Sequence, residues 1–107
     1  MKNLAGAELK ELLAKWKKEH GEVIEITVTD KENKKATCFL KSPNRNVAAM
    51  AMTLISQNKL VETGEHVVNN CWLGGNERCR KEEKVAVATA LQAAGLIEFY
   101  DAEVKKH

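Results

Sequence analysis

The sequence predicts an α+β domain: an N-terminal helix, a two-stranded antiparallel hairpin, then a three-helix C-terminal part. Three observations carry that prediction. Apolar residues recur at helical spacing near the N-terminus, alternate one-in-two through "EVIEITVTD" and "ATCFLK", and return to helical spacing after Pro43. Gly21 marks the first change of period, and Pro43, the single proline, marks the second. A chain of 107 residues, 44% hydrophobic and 30% charged, suits one domain over 1–107 with one modest core.

Residues 4–19 read as an amphipathic helix. Leu9, Leu12, Leu13 and Trp16 stand at i, i+3, i+4 and i+7 and line one face, while Lys10, Glu11, Lys17 and Lys18 fill the other. The hairpin spans 22–41. Ile24, Ile26 and Val28 form one face of its first strand, opposite Val23, Glu25, Thr27 and Thr29. "DKENKK" is the loop. Ala36, Cys38 and Leu40 share one face of the second strand, and Thr37 and Phe39 take the other. A lone hairpin of two strands is marginal in water, so it must pack on the helices, pair with another chain, or both.

The helical part spans 43–100. Ser42 is positioned to cap a helix that starts at Pro43 and runs to about Gln57, with Val47, Met50, Ala51, Leu54 and Ile55 at core spacing. In the next helix Leu60, Val61, Gly64, Val67, Val68, Cys71 and Trp72 make one stripe, and Gly74-Gly75 is its expected stop. A last helix runs from about Arg80 to Ile97, with Val87, Ala90, Leu91, Ala94 and Ile97 inward and Val85 and Ala88 beside them. The tail "EFYDAEVKKH" extends it or adds a turn.

Composition narrows the function classes. The net charge is +2, from 17 basic and 15 acidic residues, too balanced to imply nucleic-acid binding by itself. No apolar run approaches the ~20 residues of a membrane helix, and no signal peptide is expected. Three cysteines, Cys38, Cys71 and Cys79, are an odd set that reads as reduced thiols in a cytosolic protein.

The stretch "VVNNCWLGGNERCR" concentrates the chemistry. Cys71 and Cys79 have seven residues between them, outside the usual zinc spacings, and His66 and Cys71 would point about 140° apart on a helix. No metal site and no cofactor is expected. Cys79 lies between Arg78 and Arg80, whose charges favour a thiolate, but no histidine stands where a base would. A small enzyme using Cys79 is therefore the third reading, and no catalytic residue is assigned. "LGGNE" lacks the lysine and the glycine spacing of phosphate loops. Arg45, Arg78, Arg80, Lys81 and Lys84 could contact phosphates, which makes a small nucleic-acid-binding or regulatory module the second reading, although Glu77, Glu82 and Glu83 interrupt the cluster.

"FLKSPNRNVAAMAM" followed by "GEHVVNNCWLGGNE" resembles the small tail assembly chaperones of long-tailed phages and prophages, over about residues 36–97. Where that family favours an acidic residue directly after the glycine, this chain has Asn76 and then Glu77. The resemblance implies no catalytic chemistry. It implies a cytoplasmic protein of the bacterial host cell that binds the helical tape-measure protein during virion assembly, with self-association multiplying the contacts. Such binding needs an apolar strip that accepts an amphipathic helix. Leu9, Leu13 and Trp16 are the first candidates for that strip by residue type. Met50 and Met52 follow, because flexible methionines suit tolerant surfaces.

Overall fold

A computed structural model describes residues 6–97 and 105–107. Among them the order is α1 (Gly6–His20), β1 (Val23–Thr29), β2 (Lys35–Lys41), α2 (Arg45–Ser56), α3 (Leu60–Cys71), β3 (Trp72–Gly75), α4 (Arg78–Lys81) and α5 (Glu83–Ala94). The fold is α+β, with an antiparallel sheet in the order β1-β2-β3. Residues 4 and 5, and the tail stretch 98–104 expected to extend the last helix, lie outside the described residues.

The hairpin has the register that its alternation demands, with Ile26 opposite Cys38 and Thr27 opposite Thr37. The hydroxyls of those two threonines meet at 2.9 Å. Asp30 organises the loop: its Oδ1 accepts the backbone N–H groups of Glu32 and Lys34, both at 2.9 Å. Asn33 takes the left-handed conformation, φ 62°, which asparagine tolerates better than most residues.

The sheet is covered on both faces. Ile26, Ala36, Cys38 and Leu40 meet Val47 and Ala51 of α2, Val67, Val68 and Cys71 of α3, and Val85, Ala93 and Ile97 from α5 and beyond. Trp16 of α1 lies against Phe39 from the opposite face, ring centroids 5.7 Å apart. Phe39 is thus buried although it points away from the main core.

Four expectations are corrected. The Gly74-Gly75 pair does not stop a helix; it belongs to β3, whose Cys38↔Gly75 and Phe39↔Gly74 pairs add a third strand to the hairpin. The physical reason is room. A Cβ on Gly75 would stand 2.5 Å from both Cys38 Cα and Thr37 O, and one on Gly74 would stand 3.1 Å from the Trp16 ring. Gly75 also has φ +128°, a region that side chains disfavour. Helix α3 ends at Cys71 because Trp72 turns extended, φ −58° and ψ 125°. Leu73 is the extra residue in β3, since Leu40 pairs with Trp72 across the register shift.

Second, Ser42 is not the cap of α2. Asn44 is, its Oδ1 accepting Val47 N–H at 2.9 Å, so Pro43 precedes the helix. The far end of α2 closes as expected near Gln57: Asn58, φ 61°, donates to Ile55 O, and Lys59 donates to Leu54 O at 3.0 Å. That is the double bond of a Schellman closure with asparagine in the glycine place.

Third, the last helix is two helices, α4 and α5, separated at Glu82, whose ψ of 116° is extended. Fourth, the inward face of α5 differs in part. Ala90, Ala94 and Ile97 are buried as expected, together with Val85, Thr89 and Ala93, whereas Val87 and Leu91 are 38% and 42% exposed. The α3–α5 contact explains the exchange: a Cβ on Gly64 would fall 1.7 Å from Ala90 O, so the two backbones nearly touch. At that separation only small side chains fit between them, and the larger Val87 and Leu91 turn outward. Leu60, expected on the α3 stripe, is likewise exposed at the helix start. The two buried threonines, Thr63 and Thr89, give their hydroxyl protons to Lys59 O and Val85 O in their own helices.

Candidate functional site

The residues chosen for a partner surface fall on two helices. On α1, Trp16 is buried against Phe39 and Gly74 and anchors the helix to the sheet. Leu9, Leu12 and Leu13 lie one to two turns before that anchor and are only half-buried. On α2, Val47 and Ala51 hold the core while Met50 is 50% exposed and Met52 is also exposed. At 100° per residue, Met50 and Met52 flank opposite sides of that buried stripe, so one straight partner helix can cover either but not both.

The cationic candidates are treated unequally. Arg78 reaches Asp30 Oδ2 at 2.7 Å and grips the Glu82 carboxylate through its Nε and a second nitrogen. These contacts hold the Asp30 and Glu82 carboxyls below the usual carboxylate range, with Arg78 as the main cause in each case, and raise Arg78 itself. Arg80 pairs with Glu77 Oε1 at 2.7 Å and lies over the Trp72 ring, 4.0 Å from its centroid. Glu77 is lowered by that pairing. Two of the five candidates are thus neutralised within the chain. Arg45, Lys81 and Lys84 are exposed and spread over α2, α4 and α5. Lys84 stands beside the hairpin loop, on a groove of about 860 Å³ that Asp30, Lys34, Arg78 and Glu82 also line.

The cysteines are all buried. Cys71 sits on the inner face of α3, and burial pushes its thiol up. Cys38 and Cys79 lie in the same buried cluster although they stand 41 positions apart in sequence. Each thiol shifts the other: Cys38 is raised and Cys79 is lowered, with burial opposing the Cys79 thiolate and the charge of Arg78 favouring it. Sequence reading had weighed Cys79 by its arginine neighbours and missed Cys38, because nothing in the local spacing announces the pair. It likewise missed Asp30, whose ion pair with Arg78 spans 48 positions.

His66 Nδ1 lies 3.3 Å from Asn70 Nδ2, and its buried Nε2 has no protein partner. Among the described residues no group of three or more His, Cys, Asp or Glu side chains could hold a metal ion, and no helix is long and apolar enough to cross a membrane. Comparison of the chain with protein-family models, curated proteins and solved structures finds no match.

Proposed function

We propose that the chain is a non-enzymatic assembly chaperone of the phage-tail type, acting in the cytoplasm of a bacterial host and shielding the apolar face of a long helical partner such as a tape-measure protein. The observation that carries this reading is on α1. The apolar stripe of that helix continues for two turns beyond the Trp16 anchor, leaving Leu9, Leu12 and Leu13 half-buried. A helix held at one end, with leucines still partly in water at the other, is suited to take a second amphipathic helix alongside. Met50 and Met52 offer further adaptable contacts on α2. The resemblance over residues 36–97 points to the same class of partner.

The mechanism needs no bond making. Each contact hides about 25 cal/mol of unfavourable hydration per Å² of apolar surface, and self-association would sum such contacts along a long partner. The nucleic-acid module is the weaker reading, because Arg78 and Arg80 are committed to internal carboxylates.

Co-expression with the genes that flank it tests the proposal. The tagged chain is expected to recover a long helical protein, and Leu9→Ser with Leu13→Ser to lose it while thermal unfolding stays cooperative. A wild-type chain that stays monomeric and recovers no helical protein overturns the proposal. Steeply salt-dependent retention of nucleic acid moves the assignment to the second reading.

A further inference from the structure

Two thiols brought into one buried cluster from positions far apart in sequence are a chemical feature that the chaperone reading does not use. Cys38 sits in the middle of β2, opposite Gly75. After Gly75 the chain turns tightly: Asn76 donates to Thr37 O at 2.8 Å and Cys79 donates to Asn76 O at 3.0 Å. That turn brings Cys79 back over the strand, so both side chains enter the same buried cluster, where each shifts the other's titration. The juxtaposition rests on the absence of a side chain at Gly75, where a Cβ would stand 2.5 Å from Cys38 Cα.

Access is also built in. A crevice of about 60 Å³ reaches Cys79, bounded by Glu65 and Asn69 of α3, Arg80, and Ala86 of α5. It is large enough for a molecule the size of water or hydrogen peroxide and too small for a bulky alkylating reagent. Cys71, carried by α3, serves as an internal reference.

We propose that Cys38 and Cys79 form a reversible dithiol–disulfide couple, oxidised by hydrogen peroxide and reduced by a cellular dithiol, that staples β2 to the α4 segment carrying Arg78 and Arg80. The Cys79 thiol loses its proton to water, and its sulfur attacks one peroxide oxygen. The O–O bond breaks, leaving Cys79 as sulfenic acid and releasing hydroxide, which takes up the proton to become water. The Cys38 sulfur then displaces the sulfenic hydroxyl, forming the S–S bond; its proton leaves with that hydroxyl as a second water. Two thiols are oxidised and one peroxide is reduced to two waters. A dithiol reductant reverses the step by exchange through a mixed disulfide.

The oxidised staple closes a loop of about forty residues, so it should raise the thermal midpoint by on the order of 10 °C. The test treats the full chain with hydrogen peroxide, quenches with acid, and counts thiols after denaturation. Two of three thiols should disappear, the mass should fall by two hydrogens without dimer formation, and peptide mapping should join Cys38 to Cys79. Dithiothreitol should restore all three. Cys71→Ser should behave like the wild type, and Cys79→Ser should lose the cross-link. The mapping on wild-type protein decides the matter even if a variant fails to fold. Three surviving thiols, sulfinic acid on Cys79 without a cross-link, or only intermolecular disulfides would each overturn the proposal.

Discussion

Replacing Gly64 by alanine should unfold this protein more effectively than any change of similar size elsewhere. The added Cβ would lie 1.7 Å from Ala90 O, 2.3 Å from Ala90 C and 2.6 Å from Ala90 Cα. Non-bonded carbon and oxygen need roughly 3.5 Å, so α3 and α5 must part by about 1.5 Å or more at their crossing. The obstructing atoms are backbone inside a helix and cannot step aside as a side chain would. Overpacking typically costs about 1–3 kcal/mol, and a backbone collision belongs at the upper end. Alanine returns about 1 kcal/mol of helix propensity, which leaves a net loss of about 2 kcal/mol or more. Total stabilities of domains this size are about 5–15 kcal/mol, so the loss is a large share. In a urea titration the midpoint should fall by roughly 1 M, and the thermal midpoint by about 10 °C. Gly6→Ala is the matched control, because a Cβ there meets nothing within 4 Å. Ala90→Gly should bring no relief, since the clash is with the Ala90 backbone. An unchanged or raised midpoint for Gly64→Ala would refute the close helix crossing.

Three further outcomes are expected. Trp16→Ala removes the anchor of α1 and should cost about 3 kcal/mol, with loss of far-ultraviolet helical signal because a detached fifteen-residue helix is marginal in water; an unchanged helical signal would mean that α1 is held by something else. Asn44→Ala should cost about 1 kcal/mol in a denaturant titration while Ser42→Ala leaves the midpoint in place, and the reverse order would restore Ser42 as the cap. Acid should weaken the fold through Asp30, Glu77 and Glu82: their folded values lie below the unfolded ones, so their contribution is complete above about pH 5 and disappears as pH falls through the lowered values. Arg78→Gln should flatten that acid limb of the stability profile, and a profile of unchanged slope would count against the Arg78 ion pairs.

Much of the fold was legible because its signals are local. Ile26 and Cys38 declare their faces by alternation, and Leu9, Leu13 and Trp16 declare theirs by helical spacing. What was not legible depends on partners distant in sequence. "WLGG" carries two residues with no strand preference; it is a strand only because β2 and Trp16 leave room for nothing bulkier. The α5 segment "EKVAVATALQAA" is apolar nearly all the way round, so its pattern could not set which face turns in, and the close approach at Gly64 decided it. At the candidate sites, side-chain type suggested Trp16 as a contact and Arg78 as a free cation. The first proved to be buried within the chain and the second held by Asp30 across 48 positions.

The placement of β3 also dictates an order of assembly. About thirty residues, including all of α2 and α3, separate it from the strand it joins. The β1–β2 hairpin can zip from its own loop, at a small loss of chain entropy, but β3 has no neighbour until the two intervening helices have formed and folded back. With four residues, two of them glycine, it cannot nucleate anything by itself. The sheet is therefore completed late, and by the same contact that sets Trp72, Cys79 and Arg80 in place. When the native molecule breathes, that seam is the first part of the sheet to part, so the Asn76 amide bonded to Thr37 should exchange with solvent sooner than the amides between β1 and β2.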